Sequence, residues 1–396
     1  MIPVRMRPRT RIRPAVAAVA LCSALTACTA GAGAVEWEGT PSATGSPAPP
    51  AKVAVASPAA GRVVTVTASG GTLTAVKVVD AEGGVLAGRT AAGGTSWVSE
   101  RKAAPGTSYT VEATARTADG KESTTRSAFS TPAATLVNKL TLAPGKNTTV
   151  GIGQPLSIVF DRPVTHKAEV EKQLKVTTSN GTAGSWGWLK DWSGKDRVDW
   201  RPKEYWKPGT RVTLDARLDG TDSGGGWFVR DYRTGFTVGA AQVVEVDLDR
   251  KRLALVRDGR TVRTIPVSGG TPGGDKRSWR GTAVLMAKEG TINMNSETVG
   301  LGNAYDKMVD HAMRLTWSGM YAHAAPWNAR WFGRANKSSG CIGMSDADAA
   351  SFYAAVRVGD PFEITGADTK GTVAPGNGYG AWNLTWEQWK AKSALG

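Results

Sequence analysis

The chain has 396 residues, 41% of them hydrophobic, enough for about two to four domains with cores of their own. Lysine and arginine outnumber acidic residues 49 to 34, for a net charge of +15, but they are dispersed, with no long basic run. Together with an export signal at the N-terminus, that argues against a nucleic-acid partner and suits surroundings rich in phosphate polymers or anionic headgroups, although part of the charge serves solubility.

The N-terminus carries Arg5, Arg7, Arg9, Arg11 and Arg13, then the apolar run Ala15 to Leu25, closed by Leu25-Thr26-Ala27-Cys28. A basic region, a short apolar region and small residues before a cut describe a secretory signal, too short to span a membrane as a stable helix. The Leu-x-Ala-Cys ending resembles a bacterial lipoprotein signal, which implies lipidation of Cys28 and an extracytoplasmic protein anchored on the membrane, facing the wall. An ordinary cleaved signal with Cys28 incidental is the other reading. Removal of the signal takes away five arginines and no acid, so +15 becomes +10. Residues 29–57 are rich in Ala, Gly, Pro, Ser and Thr and read as a flexible tether.

Beyond the tether, alternating segments such as Val63-Val64-Thr65-Val66-Thr67 and Tyr109-Thr110-Val111-Glu112-Ala113, bounded by Gly and Pro, predict short strands of a β-sandwich. An internal repeat predicts a second one. Pro105-Gly106-Thr107 is followed by Thr110 and Ala113, and Pro208-Gly209-Thr210 by Thr213 and Ala216; strands carrying Phe129 and Phe236 close the two units. Neither contains a cysteine, so each depends on its apolar core. Trp186, Trp188, Trp192, Trp200 and Trp206 fit core packing or packing on the next domain better than a glycan-stacking platform.

From Val243 the pattern changes. Leu253 to Val256 and Val262 to Ile265 flank Asp258-Gly259, a hairpin signal because the turn needs positive φ. Further strands are expected at Thr282 to Ala287 and Met320 to His323. Ser345, with Asp348 three residues on, predicts a capped helix presenting Phe352 and Val356 on one face and ending at Gly359. Gly269-Gly270-Thr271-Pro272-Gly273-Gly274 lacks the Lys-Ser/Thr ending of a phosphate loop and reads as a flexible loop. No zinc-ligand cluster and no carboxylate pair at helical spacing is present, so neither metal nor cofactor is expected.

Chemistry concentrates between Tyr321 and Ser345. Cys341 is the one cysteine outside the first thirty residues, and His323 is one of only three histidines. An unpaired thiol in an exported chain is a candidate nucleophile when a histidine can take its proton, although a lone cysteine also serves as a small buried hydrophobe. Gly340 beside it leaves backbone N–H groups open to an oxyanion. His311 is read as structural, ahead of an apolar strand, and His166 has no motif around it.

His323-Ala324-Ala325-Pro326-Trp327 followed by Ser338-Ser339-Gly340-Cys341-Ile342-Gly343 resembles the signature of the L,D-transpeptidase (YkuD) family. Asn303-Ala304-Tyr305-Asp306 resembles its substrate-covering flap, Arg197 to Trp206 the Ig-like domain of actinobacterial members, and Trp382 to Trp389 the tail after their catalytic domain. The resemblance implies a mainly β protein: a lipoprotein signal at 1–28, a linker at 29–57, Ig-like domains at 58–132 and 133–240, a β-rich catalytic domain at 241–367 and a C-terminal subdomain at 368–396. It implies Cys341 as nucleophile, His323 as base oriented by the Ala324 backbone carbonyl, and Gly340, Cys341 and Ser339 backbone groups, with the Tyr305 hydroxyl, near the oxyanion. Tyr305, Trp327, Ser338 and Met320 would contact substrate.

The implied reaction is 3-3 cross-linking of peptidoglycan stem peptides through a cysteine acyl-enzyme. Two positions depart from the pattern: the family's His before Gly-Cys is Ser339, and its Asn or Arg two residues after Cys is Gly343. They keep open an L,D-carboxypeptidase or endopeptidase of the same fold, and a catalytically impaired peptidoglycan-binding wall protein. Expected partners are stem peptides, the membrane through Cys28, and anionic wall polymers.

Overall fold

The structure, a computed structural model, describes residues 49–56 and 58–396. The expected signal with Cys28, and residues 29–48 of the expected tether, lie outside the described residues; the end of the tether is not a free linker, because Lys52–Ala56 pairs antiparallel with Val63–Ser69 as the first strand of the first sandwich.

The first sandwich forms because its strands alternate. Ser108–Arg116 buries every second side chain, Tyr109, Val111, Ala113 and Ala115, against one core. It pairs with Thr72–Asp80 and Glu122–Ser130, while Val63–Ser69 and Ser96–Lys102 lie in the four-stranded sheet that faces it. The second sandwich packs two four-stranded sheets around Leu156, Ile158, Phe160, Leu214 and Phe236. The repeated Pro-Gly-Thr is one turn used twice. Gly106 and Gly209 adopt φ of 66° and 77°, where a Cβ would be strained. Each turn opens a strand whose second residue meets the closing aromatic, Tyr109 opposite Phe129 and Val212 opposite Phe236.

Trp186, Trp188, Trp200 and Trp206 are buried in the second core, and Trp200 stacks on Trp206 at 5.3 Å. Rings of this size bury about 150–250 Å² each, which makes them major contributors to a core without disulfides. Trp192 alone of the five is exposed.

The strand Asp196–Pro202 departs from alternation, being buried at every position. Val198 and Trp200 face the core, and the intervening Arg197, Asp199 and Arg201 lie under the C-terminal tail. Arg197 is ion-paired to Asp199 beneath the Tyr379 ring. The Arg201 guanidinium sits 4.7, 5.6 and 5.1 Å from the rings of Trp382, Trp386 and Trp389 and donates to the carbonyls of Ala381 and Leu384. The tail helix Trp386–Lys390, capped reciprocally by Thr385 and Gln388, rests on Gly187, where a Cβ would come within 2.6 Å of the Trp389 ring.

The C-terminal half builds two further sheets. One orders Arg260–Pro266, Arg252–Arg257, Gln242–Asp247, Pro361–Thr365 and Gly281–Val284; the other orders Ala287–Asn295, Asp306–Arg314, Tyr321–Ala324 and Ile342–Met344. Asp258 and Gly259 make the expected two-residue turn, with φ of 49° and 75°. The strand expected at Thr282 to Ala287 is divided between the sheets. Leu285 donates to Asp360 and Met286 to Arg314, so the chain changes partner there.

The Ser345-capped helix runs Asp346–Ala355 with Val356 as its cap, ending before Gly359. Gly359 serves another purpose: at φ 95° it packs so tightly on Gly151 of the second sandwich that a Cβ would lie 2.6 Å from the Gly151 nitrogen. Asp348 does not complete the reciprocal cap, because its carboxylate takes the Ser345 hydroxyl at 2.7 Å. Tyr205 bonded to Glu363 (2.9 Å) and the Trp382 indole bonded to the Gly153 carbonyl (2.8 Å) also join the second sandwich to the C-terminal half. Among the described residues no helix is long and apolar enough to cross a membrane.

Candidate active site

His323 lies in Tyr321–Ala324, a strand buried at all four positions. An antiparallel neighbour, Asp306–Arg314, flanks it on one side and the parallel strand Ile342–Met344 on the other, with His323 opposite Gly343. That register is what brings the thiol to the imidazole. Cys341 directly precedes the parallel strand, so it stands two places back along the ladder from His323 and beside Tyr321. Both line a cavity of about 190 Å³ together with Tyr305, Trp327, Ser338 and Ser339.

The imidazole has one fixed contact, Nδ1 to the Ala324 carbonyl at 2.6 Å. A carbonyl only accepts, so Nδ1 carries the proton and Nε2 is left as the acceptor. Burial lowers the pKa of the ring, against the opposing effect of that hydrogen bond, so it is neutral at neutral pH. Burial also pushes the Cys341 thiol up to about 11, against a backbone hydrogen bond from Tyr321. The thiol lies 3.6 Å from the Gly319 carbonyl, as a donor. The resting pair is therefore a neutral thiol beside a neutral imidazole.

The loop before Cys341 is held from several directions. Ser338 Oγ donates to the Cys341 carbonyl at 2.6 Å and accepts the Gly340 N–H at 3.2 Å. Of the three backbone donors expected at the oxyanion, that of Gly340 is thus already engaged by the turn, and among the described residues the N–H groups of Ser339 and Cys341 have no acceptor. Gly340 adopts φ 118°, closed to residues with a Cβ.

The glycine loop expected to be flexible is a scaffold in its first half. Gly269 and Gly270 are buried; the Gly269 carbonyl accepts from Ser338 and Thr271 donates to the Ser338 carbonyl, while Ser278 Oγ receives the Gly270 N–H and donates to the Gly340 carbonyl at 2.8 Å. Sequence reading missed Ser278 and Ser268, whose backbone clamps Gly343 from both sides at 2.9 Å. Single serines carry no local signal of such a contact.

Tyr305 leads into Asp306–Arg314 and lines the cysteine cavity as well as neighbouring cavities of about 30 and 350 Å³. Its hydroxyl is pushed up to about 12 by burial and by the nearby Cys341, so it stays a donor. The segment before it is tied by another missed residue, the fully buried Ser296, whose Oγ accepts from the N–H groups of Ala304 and Tyr305. Trp327 is half-exposed at the rim, its ring 6.0 Å from that of His323. Met320 is 3% exposed and belongs to the domain core, reaching only the edge of the 30 Å³ cavity.

His311 lies within Asp306–Arg314, not before it, at φ 55° where the pairing with Ala287–Asn295 is irregular; its ring meets Tyr353 edge-on. His166 is exposed, beside Asp222, far along the chain from the thiol. A larger cavity of about 660 Å³ between the second sandwich and the helix end at Val356 contains neither His323 nor Cys341.

Fold and site together define one class of protein: tandem Ig-like sandwiches carrying a β-domain with one thiol and one oriented imidazole in a shared pocket. Residues 56–222 match the bacterial Ig domain family and residues 241–364 the L,D-transpeptidase catalytic domain family. The chain is 34% identical over 340 residues to L,D-transpeptidase 2 of Mycobacterium tuberculosis (strain CDC 1551 / Oshkosh), covering 84% of this chain and 80% of that one. To L,D-transpeptidase 5 of Mycobacterium tuberculosis (strain ATCC 25618 / H37Rv) it is 32% identical over 336 residues, with coverage of 84% and 73%. A solved L,D-transpeptidase in complex with imipenem is 32% identical across 58% of this chain and 99% of its own, with a TM-score of 0.49. The chain belongs to the L,D-transpeptidase family, whose members act on peptidoglycan stem peptides.

Proposed function

We propose that this chain forms 3-3 peptidoglycan cross-links through an acyl-enzyme on Cys341. The Cys341 sulfur attacks the carbonyl of the third residue of a tetrapeptide stem while its proton passes to His323 Nε2. The C–N bond then breaks, and the same proton goes to the amine of the departing D-alanine, leaving a thioester. The side-chain amine of the third residue on a neighbouring stem attacks that thioester, gives a proton to His323 and thence to the sulfur, and restores the thiol. The Cys341 N–H and the Tyr305 hydroxyl stabilise the oxyanion; Ser338, Gly340 and Ser339 shape the turn that presents them; Trp327 walls the pocket, and Met320 supports it from the core.

The observation that carries this reading is the Nδ1–H of His323 held on the Ala324 carbonyl at 2.6 Å, in the pocket Cys341 shares. It fixes the tautomer a base needs, and a neutral imidazole is competent to accept. Intact mass after exposure to a carbapenem, run beside product analysis on disaccharide-tetrapeptide, tests it. An adduct on Cys341 and 3-3 dimers are expected. Release of D-alanine without dimers identifies a hydrolase of the same fold, and an unmodified, inactive protein identifies a wall-binding relative.

The site is carried outside the membrane on a lipid at Cys28, and the mature charge of +10 favours anionic wall polymers. The basic and apolar runs ending in Leu25-Thr26-Ala27-Cys28 support the anchor. Cys28→Ser should move the protein from the detergent-requiring to the soluble exported fraction; wild type found wholly soluble overturns it.

A further inference from the structure

The cavity around Cys341 has an electrostatic character that its catalytic groups do not explain. No aspartate or glutamate lines it, while two lysines do, Lys307 and Lys337. Both are exposed, and neither makes an ion pair among the described residues, although the protein has many. Strand geometry aims Lys307 inward: Tyr305, Lys307 and Val309 follow at intervals of two, and all three line the cavity. Its ammonium lies 4.7 Å from the Trp327 ring, bridging from the strand to the opposite rim. Lys337 directly precedes Ser338 and is steadied in the same manner, 5.6 Å from the Trp331 ring. A cation resting on an indole keeps its hydrogen-bond donors free, because the ring face offers attraction but no acceptor for most of them.

The geometry points to Lys307 and Lys337 as a carboxylate-reading pair that selects the anionic donor stem for attack by Cys341. This rests on the reading of Cys341 as the acyl acceptor, since it assigns the lysines to the substrate that enters the cysteine pocket. A stem peptide presents a terminal carboxylate and, where its residues retain them, further carboxylates along the chain. Two fixed positive charges with no internal partner favour these over amidated forms, and each contact is charge-assisted. Lys307 and Lys337 move no proton; they position and discriminate.

Binding without turnover decides it. In full-length Cys341→Ala protein, calorimetry is run with three donor tetrapeptides: all carboxylates free, the terminal one amidated, and the side-chain or internal ones amidated. Lys307→Met and Lys337→Met, which keep an apolar stem, should each weaken the free-carboxylate peptide about tenfold, the scale of one hydrogen bond to a charged group. Lys307→Arg should retain most of the affinity. Amidation of the recognised carboxylate should cost the parent a similar factor and cost the Met variant little more, which tells terminal from internal recognition. Equal affinity of parent and both Met variants for the anionic peptide overturns the proposal, as does an equal loss on the free peptide and on both amidated ones. Failure of wild type to form a carbapenem adduct, with carboxylate-dependent binding intact, overturns the role of Cys341 and leaves the lysine pair standing.

Discussion

The His323 imidazole donates its Nδ1–H to the carbonyl of the next residue in the chain, Ala324, at 2.6 Å. Among the described residues no distant carboxylate orients the ring. Orientation by the strand's own backbone requires no second charged group in a buried strand, where an unpaired carboxylate would be expensive. It also leaves the ring with its lowered pKa, neutral and ready to accept.

Removing the thiol separates chemistry from folding. Cys341→Ala should abolish the carbapenem adduct and all cross-linking. The buried site loses one sulfur, a small volume change, so stability should fall by about 1 kcal/mol or less. Intact mass and thermal unfolding check the two halves; cross-links formed by the variant would remove Cys341 from the mechanism.

A second prediction concerns pH. His323→Gln should slow acylation by about 10²- to 10⁴-fold at neutral pH. The thiol, pushed up to about 11, then ionises without help only at strongly alkaline pH, so the variant's rate should climb with pH toward that value. Wild type should keep its rate down to a pH below the usual histidine value of 6.5, because the folded ring's pKa is lowered. Acylation rates across pH measure both, and parallel profiles for the two proteins would exclude His323 as base.

The two departures from the family signature differ in consequence. Ser339→His adds a side chain at the cavity wall and leaves backbone donors in place, so acylation should change by less than about tenfold, 1.4 kcal/mol of barrier. Gly343→Asn meets resistance: a Cβ there would lie 2.9 Å from the Ala325 Cβ, in the strand position opposite His323. It should cost about 1–3 kcal/mol and lower the acylation rate as well. Stopped-flow acylation and denaturant unfolding of the two variants test the contrast.

Asp360 joins the helix end to the sandwich. Burial pushes its carboxyl up to about 6, against hydrogen bonds from the Arg357 backbone and Gln242 and the positive charge of Arg357 and Arg257. A raised folded pKa means that its stability contribution is full below the unfolded value of 3.8 and is lost as pH rises through about 6. Asp360→Asn removes that dependence, so its Tm should gain on wild type between pH 4 and pH 7. An unchanged difference across that range would count against the buried charge.

Arg201 tests the tail. It is buried with its pKa lowered to about 10 by desolvation, has no carboxylate partner among the described residues, and is held by three indole rings and four backbone carbonyls. The lowered pKa shows that the contacts do not fully offset the desolvation, but removing the guanidinium would leave buried backbone carbonyls without a donor, at about 1–3 kcal/mol per unsatisfied group, and three rings without their cation. Arg201→Met should therefore cost about 2–4 kcal/mol and make residues 376–390 sensitive to limited proteolysis. A variant as stable as wild type, with a protected tail, would refute the clamp.

The order of sandwiches, the turns at Gly106, Gly209 and Asp258-Gly259, and the pairing of one histidine with one cysteine are legible in the sequence, because each depends on local propensity or on residues too scarce to be confused. Residues such as Ser268 and Ser278 are not, because they satisfy the distant backbone groups of Gly343 and Gly340, and a serine looks the same whichever partner it finds.

The strand Asp196–Pro202 shows where local reading stops. Its alternation of Arg, Val, Asp, Trp and Arg has a period of two, which sets which side chains share a face. The C-terminal tail then covers that polar face, and Arg197, Asp199 and Arg201 become buried. The same holds at the site. Sequence supplied a thiol and an imidazole, but only the parallel pairing of Tyr321–Ala324 with Ile342–Met344 set them side by side. Periodicity is written in neighbouring residues, whereas the register between strands and the surface that comes to rest on a face are decided by contacts between segments that no local pattern connects.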